Sequence, residues 1–233
     1  MKVILFGSSG MIGQGVVREC LIDPEVESVL AIVRQPTGQR HAKLQEVVQE
    51  DFCDYSGLGN RISGYDACFF CLGVSSSGMT EAQYTHITYD LTLEVASCLA
   101  GLNPAMVFTY VSGAGTDSSE QGGTMWARVK GRTENQLKSL GFRGVYLFRP
   151  SIIQPLGGIQ SKTRAYRLFY SVVGWLLPAI RKLFPGFIVT TDDIGQAMLN
   201  VARAGAGRAV LEPREIARVA KEMQAPGRTA PGS

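Results

Sequence analysis

Short apolar runs alternate along the chain with segments whose apolar residues recur at helical spacing. Runs of this length that are rich in aliphatic and aromatic residues are typical of strands in a parallel sheet. They predict strands at residues 3–6, 28–33, 46–50, 67–72, 105–111 and 144–148, with an edge strand at 208–212. The segments between them predict helices near residues 11–22, 80–100, 124–140, 191–204 and 213–224. This alternation predicts an α/β fold, a doubly wound parallel sheet with helices on both sides.

Length and composition set the size of the core. The chain has 233 residues, of which 45% are hydrophobic and 18% charged, enough for one substantial core. We expect one domain over residues 1–224, with residues 152–189 as a small irregular helical insertion on the substrate side. Residues 225–233 are rich in Pro, Gly and Ser, which predicts a disordered tail.

Charge and apolar runs limit the partners and the location. The net charge of +3 falls short of the basic excess that indicates nucleic acid, so no nucleic-acid partner is expected. The longest mostly apolar run, residues 168–180, is too short to span a bilayer. The first residues show no secretory signal pattern, and the five cysteines are scattered, which suits free thiols. These features predict a cytoplasmic protein.

Two of the cysteines, Cys68 and Cys71, form a CxxC within the apolar run ACFFCLGV. Residues three apart on a strand point to opposite faces, so we interpret both as core residues. A metal or redox pair is the alternative. We predict no metal site.

A glycine-rich turn, GSSGMIGQGVV, follows the first predicted strand and opens an amphipathic helix. Its glycines are separated by two residues each, a spacing that permits a tight turn, close approach of a pyrophosphate and close packing of the helix. The helix N-terminus then favours the phosphate charge. The predicted cofactor-binding residues here are Gly7, Ser9, Gly10, Met11, Ile12 and Gly13. The alternative is a plain strand-to-helix turn.

The end of the second predicted strand should meet the adenosine ribose. An NAD site usually has an acid there, whereas this strand ends in Arg34, with Arg40 and Lys43 nearby. A guanidinium suits a 2′-phosphate, so NADP(H) is favoured over NAD(H). The alternative is an ordinary solvated arginine.

Two later strand ends also predict cofactor contacts. Asp51 and Phe52 follow the third predicted strand and are expected near the adenine ring. Leu72 and Gly73 close the fourth, where a dinucleotide backbone would pass. Both predictions depend on the doubly wound arrangement.

The order of these motifs resembles the short-chain dehydrogenase/reductase superfamily over roughly residues 1–204. The resemblance rests on the glycine turn, TYVSGAG with Ser112, WARVK with Lys130, and FRPS with Pro150 and Ser151. It is strongest to the atypical NAD(P)-binding branch, which includes epimerase/dehydratase-like and Tat-interacting oxidoreductase-like proteins. It implies a Rossmann fold, cofactor contacts at Pro150 and Ser151, and an oxidoreductase or epimerase-like enzyme.

In that superfamily a serine, a tyrosine and a lysine act together: the tyrosine transfers the proton, the lysine binds the nicotinamide ribose and the serine holds the substrate oxygen. Ser112 and Lys130 match these positions and are the predicted catalytic residues, but Trp126 stands where the tyrosine is expected. An indole N–H can donate a hydrogen bond but cannot cycle a proton near neutral pH. Ribose binding by Lys130 therefore survives the exchange, and the standard proton transfer does not.

Three other residues are candidates to replace the tyrosine. Tyr110 shares a strand face with Ser112, and Tyr84 and His86 follow the fourth predicted strand. A packing or surface role is the commoner one for such residues. Lys130 itself is the remaining candidate, provided that desolvation lowers its pKa.

Residues 152–189 combine basic and apolar residues and contain no acid. This pattern predicts an anionic and apolar small-molecule substrate, or a peripheral membrane contact through residues 162–187. The alternative is a helical pair that packs on the core or on a second subunit. After this segment, TTDDIGQAM predicts a helix start capped by Thr191 or Asp192.

Two functions from different classes follow. The first is an NADP(H)-binding atypical short-chain dehydrogenase/reductase acting on a small molecule. The second is a non-catalytic protein that senses NADPH and reports to a protein or membrane partner through residues 155–187, an alternative that the Trp126 exchange keeps open.

Overall fold

The computed structural model of the protein describes residues 1–49, 58–159 and 187–222. The predicted contacts of Asp51 and Phe52, most of the insertion at 152–189 and the tail at 225–233 lie outside these residues. The prediction of one domain over residues 1–224 stays a prediction.

The described residues form nine strands and six α-helices, numbered in chain order. The strands are β1 Lys2–Phe6, β2 Ser28–Val33, β3 Leu44–Val48, β4 Ala67–Phe70, β5 Val107–Val111, β6 Gly144–Phe148, β7 Ile152–Gln154, β8 Ile188–Thr190 and β9 Val210–Leu211. The helices are α1 Met11–Ile22, α2 Glu81–Thr85, α3 Leu91–Leu102, α4 Met125–Lys138, α5 Thr191–Ala204 and α6 Pro213–Glu222. A 3-10 turn at Gly59–Arg61 and a π-helical segment at His86–Asp90 complete the set.

Seven strands form one parallel sheet in the order β3-β2-β1-β4-β5-β6-β9. The winding reverses between β1 and β4, which creates a crevice at the carboxyl ends of these strands. The doubly wound parallel sheet predicted from the sequence is therefore confirmed. Strands β7 and β8 form a separate parallel pair.

The core has two halves because alternate residues of each strand face opposite sides of the sheet. On β1, Val3 and Leu5 pack with apolar residues of α1, α5 and α6. Ile4 and Phe6 face the other side and pack with residues of α3 and α4. Both faces are thus covered by helices, as the sequence pattern predicts.

Most predicted bounds lie within two residues of the observed ones. The exception is the helix predicted at 80–100, which is divided into α2, the π-helical segment and α3. A π-turn adds one residue to a helical turn and leaves the apolar pattern readable as one helix, so periodicity does not reveal it. The β7–β8 pair was also not predicted, because its partners are far apart in the chain and three residues long.

The cap predicted for α5 was wrong by one position. The N-cap is Thr190, whose Oγ1 accepts from the Asp193 N–H at 2.9 Å, while the Asp193 carboxylate accepts from the Thr190 N–H at 2.8 Å. Thr191 is already helical and buried. In a run of consecutive cap-forming residues, the start is decided by this reciprocal pair of hydrogen bonds.

Candidate functional site

The glycine turn is built from backbone that approaches too closely for side chains. Gly7 has a φ of +81°, and a Cβ there would lie 2.7 Å from the Cys71 carbonyl oxygen. A Cβ on Gly13 would lie 2.0 Å from the Gly7 carbonyl oxygen. Between them the Gly10 N–H donates to the same Gly7 oxygen at 2.9 Å. The turn and the start of α1 therefore depend on glycine at residues 7 and 13 for steric reasons.

The start of α1 fits an anionic ligand. Its N-cap, Gly10, has no side chain to cap the helix, and no acidic residue lies in the first turn. Ser9, Met11 and Ile12 are partly exposed. Ser8 is buried, and its hydroxyl has no hydrogen-bond partner among the described residues. Open N–H groups and an unpaired buried hydroxyl are what a bound phosphate would satisfy.

A cavity of about 130 Å³ opens at the carboxyl ends of the central strands. Its apolar lining comes from Phe70, Leu72, Val74, Ile87 and Leu91. Its remaining lining residues are Arg34, Gly73, Thr88, Thr92, Tyr110 and Lys130. A cavity of about 150 Å³ accommodates a benzene ring, so a space of this size suits a small planar ring. The structure thus brings four predicted cofactor-binding residues, Arg34, Leu72, Gly73 and Lys130, to one cavity.

Arg34 is the charged group at the β2 side of this cavity. It directly follows β2 and is exposed, and within the described parts of the chain no carboxylate forms an ion pair with it. Lys43, predicted to lie nearby, instead donates its Nζ hydrogen bond to the Asp23 carbonyl oxygen at 2.6 Å. Arg34 is therefore a cation at the cavity that is available to a ligand.

Lys130, on α4, is the second charged residue that lines the cavity. The helix sits close to the loop after β5, since a Cβ on Gly131 would lie 1.7 Å from the Asp117 carbonyl oxygen. The Lys130 Nζ donates to the Ser112 carbonyl oxygen. Desolvation lowers the pKa of Lys130 from 10.5 to about 8, and the negative charge of Glu134 opposes that shift.

The Ser112 hydroxyl points into a buried polar network. It donates to Glu134 Oε1 at 2.5 Å and lies 3.1 Å from the Phe148 carbonyl oxygen, so its single proton is already engaged. Glu134 is 0% exposed and forms an ion pair with Arg149. Ser112 does not line the cavity formed by the described residues, although its carbonyl group holds Lys130 there.

Trp126 lies beside the loop after β5, where its ring is 3.6 Å from the position of a Cβ on Gly115. The indole is partly exposed and does not line the described cavity. Tyr110 does line it, but this residue is buried and its hydroxyl is hydrogen-bonded to Thr133. Burial raises the pKa of Tyr110 far above its ordinary value. Proton release from this phenol near neutral pH is therefore strongly disfavoured.

The other two candidate replacements for the tyrosine, Tyr84 and His86, lie outside the cavity lining. Tyr84 is buried, and burial raises its pKa, against the effect of a hydrogen bond with Thr88. His86 is exposed, with Nδ1 3.4 Å from the Asp90 carboxylate on the surface. Neither residue lines the described cavity.

The FRPS motif connects strands rather than lining the cavity. The Pro150 carbonyl oxygen accepts from the Ala114 N–H at 2.9 Å, which extends the β5–β6 pairing. The Ser151 hydroxyl donates to the Phe187 carbonyl oxygen. Cofactor contacts of Pro150 and Ser151 stay a prediction.

Sequence reasoning missed the contribution of the π-helical segment. Ile87 and Thr88 lie in it, and Thr92 follows on α3, where its hydroxyl donates to the Thr88 carbonyl oxygen at 2.6 Å. These residues line the cavity. The spacing of Thr88 and Thr92, four residues apart on one helical face, was the available signal. Glu134 was also missed, because its partners come from distant segments.

The CxxC cysteines occupy opposite faces of the sheet. Cys68 belongs to the core half under α3 and α4, and Cys71 packs against the half under α1. Burial raises the pKa of Cys71 to about 12 and that of Cys68 well above its ordinary value, so both remain thiols near neutral pH.

Across the residues that the structure describes, no group of three His, Cys, Asp or Glu residues could hold a metal ion. In the same residues, no helix is long and apolar enough to cross a membrane.

Solved structures share this fold. An ADP-L-glycero-D-manno-heptose-6-epimerase from Helicobacter pylori aligns with a TM-score of 0.65 and 15% identity, over 95% of this chain and 81% of its own. WbmF from Bordetella bronchiseptica, solved with NAD⁺, aligns with a TM-score of 0.63 and 14% identity, over 93% and 76%. A short chain dehydrogenase family protein from Francisella tularensis has a TM-score of 0.62 and 15% identity, over 88% and 91%. The chain therefore has the Rossmann fold that was predicted, and it shares this fold with these proteins.

The proteins similar to this chain in sequence share one name. Protein fmp52, mitochondrial, of Emericella nidulans is 26% identical over 85% of this chain and 86% of its own length. Protein fmp52-2, mitochondrial, of Aspergillus terreus is 26% identical over 96% and 90%, and Protein FMP52, mitochondrial, of Debaryomyces hansenii is 22% identical over 87% and 88%. No protein-family model matches the chain.

The names of these relatives contradict the cytoplasmic location predicted from the sequence, because they place the relatives in mitochondria. The prediction relied on scattered thiols, and Cys20, Cys68, Cys71 and Cys98 are indeed free. Free thiols argue against an oxidising compartment but do not distinguish the cytoplasm from the mitochondrial interior.

Proposed function

We propose that this protein binds NADP(H) and acts as an atypical short-chain dehydrogenase/reductase, an oxidoreductase or epimerase-like enzyme for a small molecule. The observation that carries the proposal is the shared cavity, in which Arg34 and Lys130 are the charged lining residues. The glycine turn, with glycine required at residues 7 and 13, lies at the switch point of the same sheet. Structural neighbours with the same fold, such as WbmF, have been solved with NAD⁺.

The preference for NADP(H) is supported by charge. Arg34 follows β2, where an NAD site usually has a carboxylate that accepts from the ribose hydroxyls. No carboxylate lines the cavity within the described residues. A guanidinium would donate charge-assisted hydrogen bonds to a 2′-phosphate bound at this cavity.

The bound dinucleotide would supply two-electron redox chemistry, and the chain would supply the proton and the orientation. Trp126 cannot cycle a proton. Lys130 has a pKa of about 8, so it carries a proton at neutral pH and releases it more readily than an ordinary lysine. We assign it two roles: binding the nicotinamide ribose and giving the proton to a substrate oxygen. Ser112 would contact that oxygen only after its hydroxyl turned away from Glu134.

The substrate class follows from the lining. Phe70, Val74, Ile87 and Leu91 provide an apolar wall, and Val74 and Ile87 are 41% and 38% exposed. Exposed apolar side chains at a cavity favour an apolar ligand. The two cations favour an anionic group on it. An anionic and apolar small molecule therefore remains our substrate proposal.

The non-catalytic alternative has its own support. Trp126 cannot transfer a proton and the Ser112 hydroxyl already donates to Glu134, so two of the three superfamily positions lack the groups that act on a substrate in that superfamily. On this reading the protein binds NADPH and reports its level to a partner. In either case we extend to this chain the mitochondrial location that the names of its relatives give.

Calorimetry with NADPH and NADH tests the cofactor assignment, and we expect NADPH to bind more tightly. Absence of uptake of either dinucleotide by folded protein would contradict the whole proposal. Oxidation of NADPH across aldehydes, ketones and quinones then separates the two functions. Binding without turnover on any of these supports the sensor, and turnover supports the enzyme.

A further inference from the structure

Three sequence motifs meet on one buried carboxylate. Glu134 lies one helical turn after Lys130 on α4 and is 0% exposed. The Ser112 hydroxyl, from the residue after β5, donates to Glu134 Oε1 at 2.5 Å. Arg149, from the residue after β6, donates from Nε to the same oxygen at 3.0 Å and from Nη2 to Oε2. Both carboxylate oxygens are thus engaged from two adjacent strand ends.

On the side away from Lys130, Arg149 holds the network in place. Arg149 also donates from Nη2 to the Ser118 hydroxyl at 2.6 Å, and its Nη1 lies 3.4 Å from the Glu212 carboxylate. A guanidinium held by several acceptors has little freedom to move, so it fixes the carboxylate of Glu134 in turn. A buried carboxylate is costly unless it is paired and hydrogen-bonded. These contacts meet that requirement.

The near side of the network reaches Lys130. Glu134 binds the side chain of Ser112, while Lys130 donates to the main-chain oxygen of the same residue. We propose that Glu134 is a positioning residue for Lys130: it anchors Ser112, whose main-chain oxygen accepts from the Lys130 amine, and it places a negative charge near that amine without itself lining the cavity. The functional meaning rests on the proposed roles of Ser112 and Lys130, but the electrostatic coupling does not.

The surroundings of Lys130 allow the effect of Glu134 to be isolated. Arg34 and Tyr110 line the same cavity. Arg34 is positive and exposed, and Tyr110 is neutral because burial raises its pKa. The negative charge of Glu134 is the influence that raises the pKa of Lys130 against desolvation. Replacing Glu134 leaves Arg34 charged and Tyr110 neutral, because burial, to which Glu134 only adds, is the main cause of the raised pKa of Tyr110. It also leaves Arg149 without this ion-pair partner.

The test measures protonation of Lys130 directly, by NMR titration of its ¹³Cε signal in the free protein. We expect a midpoint of about 8 in the unaltered protein. Glu134→Gln should lower it by about one pH unit, because an opposite charge one helical turn away is lost. Ser112→Ala is the matched control: it removes the hydroxyl but keeps the carboxylate, and should leave the midpoint in place. A folded Gln variant with an unchanged midpoint would overturn the proposal.

Glu134→Asp provides a second variant if the Gln variant does not fold. It keeps the charge but withdraws the carboxylate by one methylene, so the Lys130 midpoint should fall by a smaller amount. An unchanged midpoint in this variant would also refute the proposal. Because these titrations need no cofactor, failure to bind NADPH would defeat the proposed function and leave this result standing.

Discussion

Gly13 lies so close to Gly7 that a Cβ on Gly13 would sit 2.0 Å from the Gly7 carbonyl oxygen. Real Cβ atoms do not approach carbonyl oxygens to this distance, so Gly13→Ala must displace either the turn or α1. We expect the variant to lose about 1–3 kcal/mol of unfolding free energy, as for an overpacked core. Urea unfolding measures this loss, and calorimetry should show weaker dinucleotide binding.

Gly101→Ala is the matched control for this prediction. Gly101 lies on α3, is exposed, and a Cβ there would meet nothing within 4 Å. Since alanine restricts the unfolded chain more than glycine, this variant should gain about 0.5–1 kcal/mol. If both variants have the stability of the unaltered protein, the steric account of the turn is wrong.

Arg34 is predicted to choose between the two cofactors. Arg34→Gln removes the charge at the cavity and should weaken NADPH binding about tenfold or more, since a hydrogen bond to a charged group contributes about 1.5–3 kcal/mol. NADH binding should change little. Arg40→Gln is the control, because Arg40 is exposed but does not line the described cavity. Equal losses for both dinucleotides would refute the 2′-phosphate assignment.

Trp126 is predicted to limit conventional carbonyl reduction. Trp126→Tyr places a phenol four residues before Lys130 and should raise reductase activity, since general acid–base catalysis contributes about 10² to 10⁴ in rate. Trp126→Phe removes the indole without adding a hydroxyl and should not. Initial rates of NADPH oxidation with carbonyl substrates give the comparison. The same rate in the Tyr and Phe variants would rule out a missing phenol as the cause.

Buried thiols are predicted to make the fold sensitive to alkali. Burial raises the pKa values of Cys20, Cys68 and Cys71 above the ordinary value of 9.0. Their contribution to stability is fully present below pH 9 and is lost above it, because the unfolded chain releases protons that the folded chain keeps. Lys130 acts in the opposite direction between about 8 and 10.5, since its pKa is lowered on folding. Three thiols oppose one lysine, so the net effect of raising the pH above 9 is a loss of stability.

We therefore expect the unfolding free energy to fall between pH 9 and 10 by about 1.4 kcal/mol per unit for each proton in excess. Urea unfolding under reducing conditions at pH 8, 9 and 10 measures the slope. Cys68→Ala should give a shallower slope than the unaltered protein, whatever its own stability at pH 8. A slope that this substitution leaves unchanged would show that Cys68 is not the source.

The sequence determined the sheet, its helices and the glycine turn. Short apolar runs and helical spacing are local properties, and β2, β6, α1 and α5 begin and end at the predicted residues. The π-helical segment and the β7–β8 pair were not predicted. The π-helical segment depends on a single extra residue in a turn, and the β7–β8 pair depends on partners more than thirty residues apart.

The tertiary structure alone decided the direction and charge of the site groups. The motifs identified Ser112 and Lys130. They did not show that the Ser112 hydroxyl is directed at Glu134 or that the Lys130 amine is desolvated. Glu134 and Arg149 are 15 residues apart, and their pairing follows from the way α4 packs beside β6. The spacing of apolar residues in a strand or helix shows which face of that element is apolar. Hydrogen-bond direction and desolvation depend on which other elements surround a group, and only the folded chain specifies them.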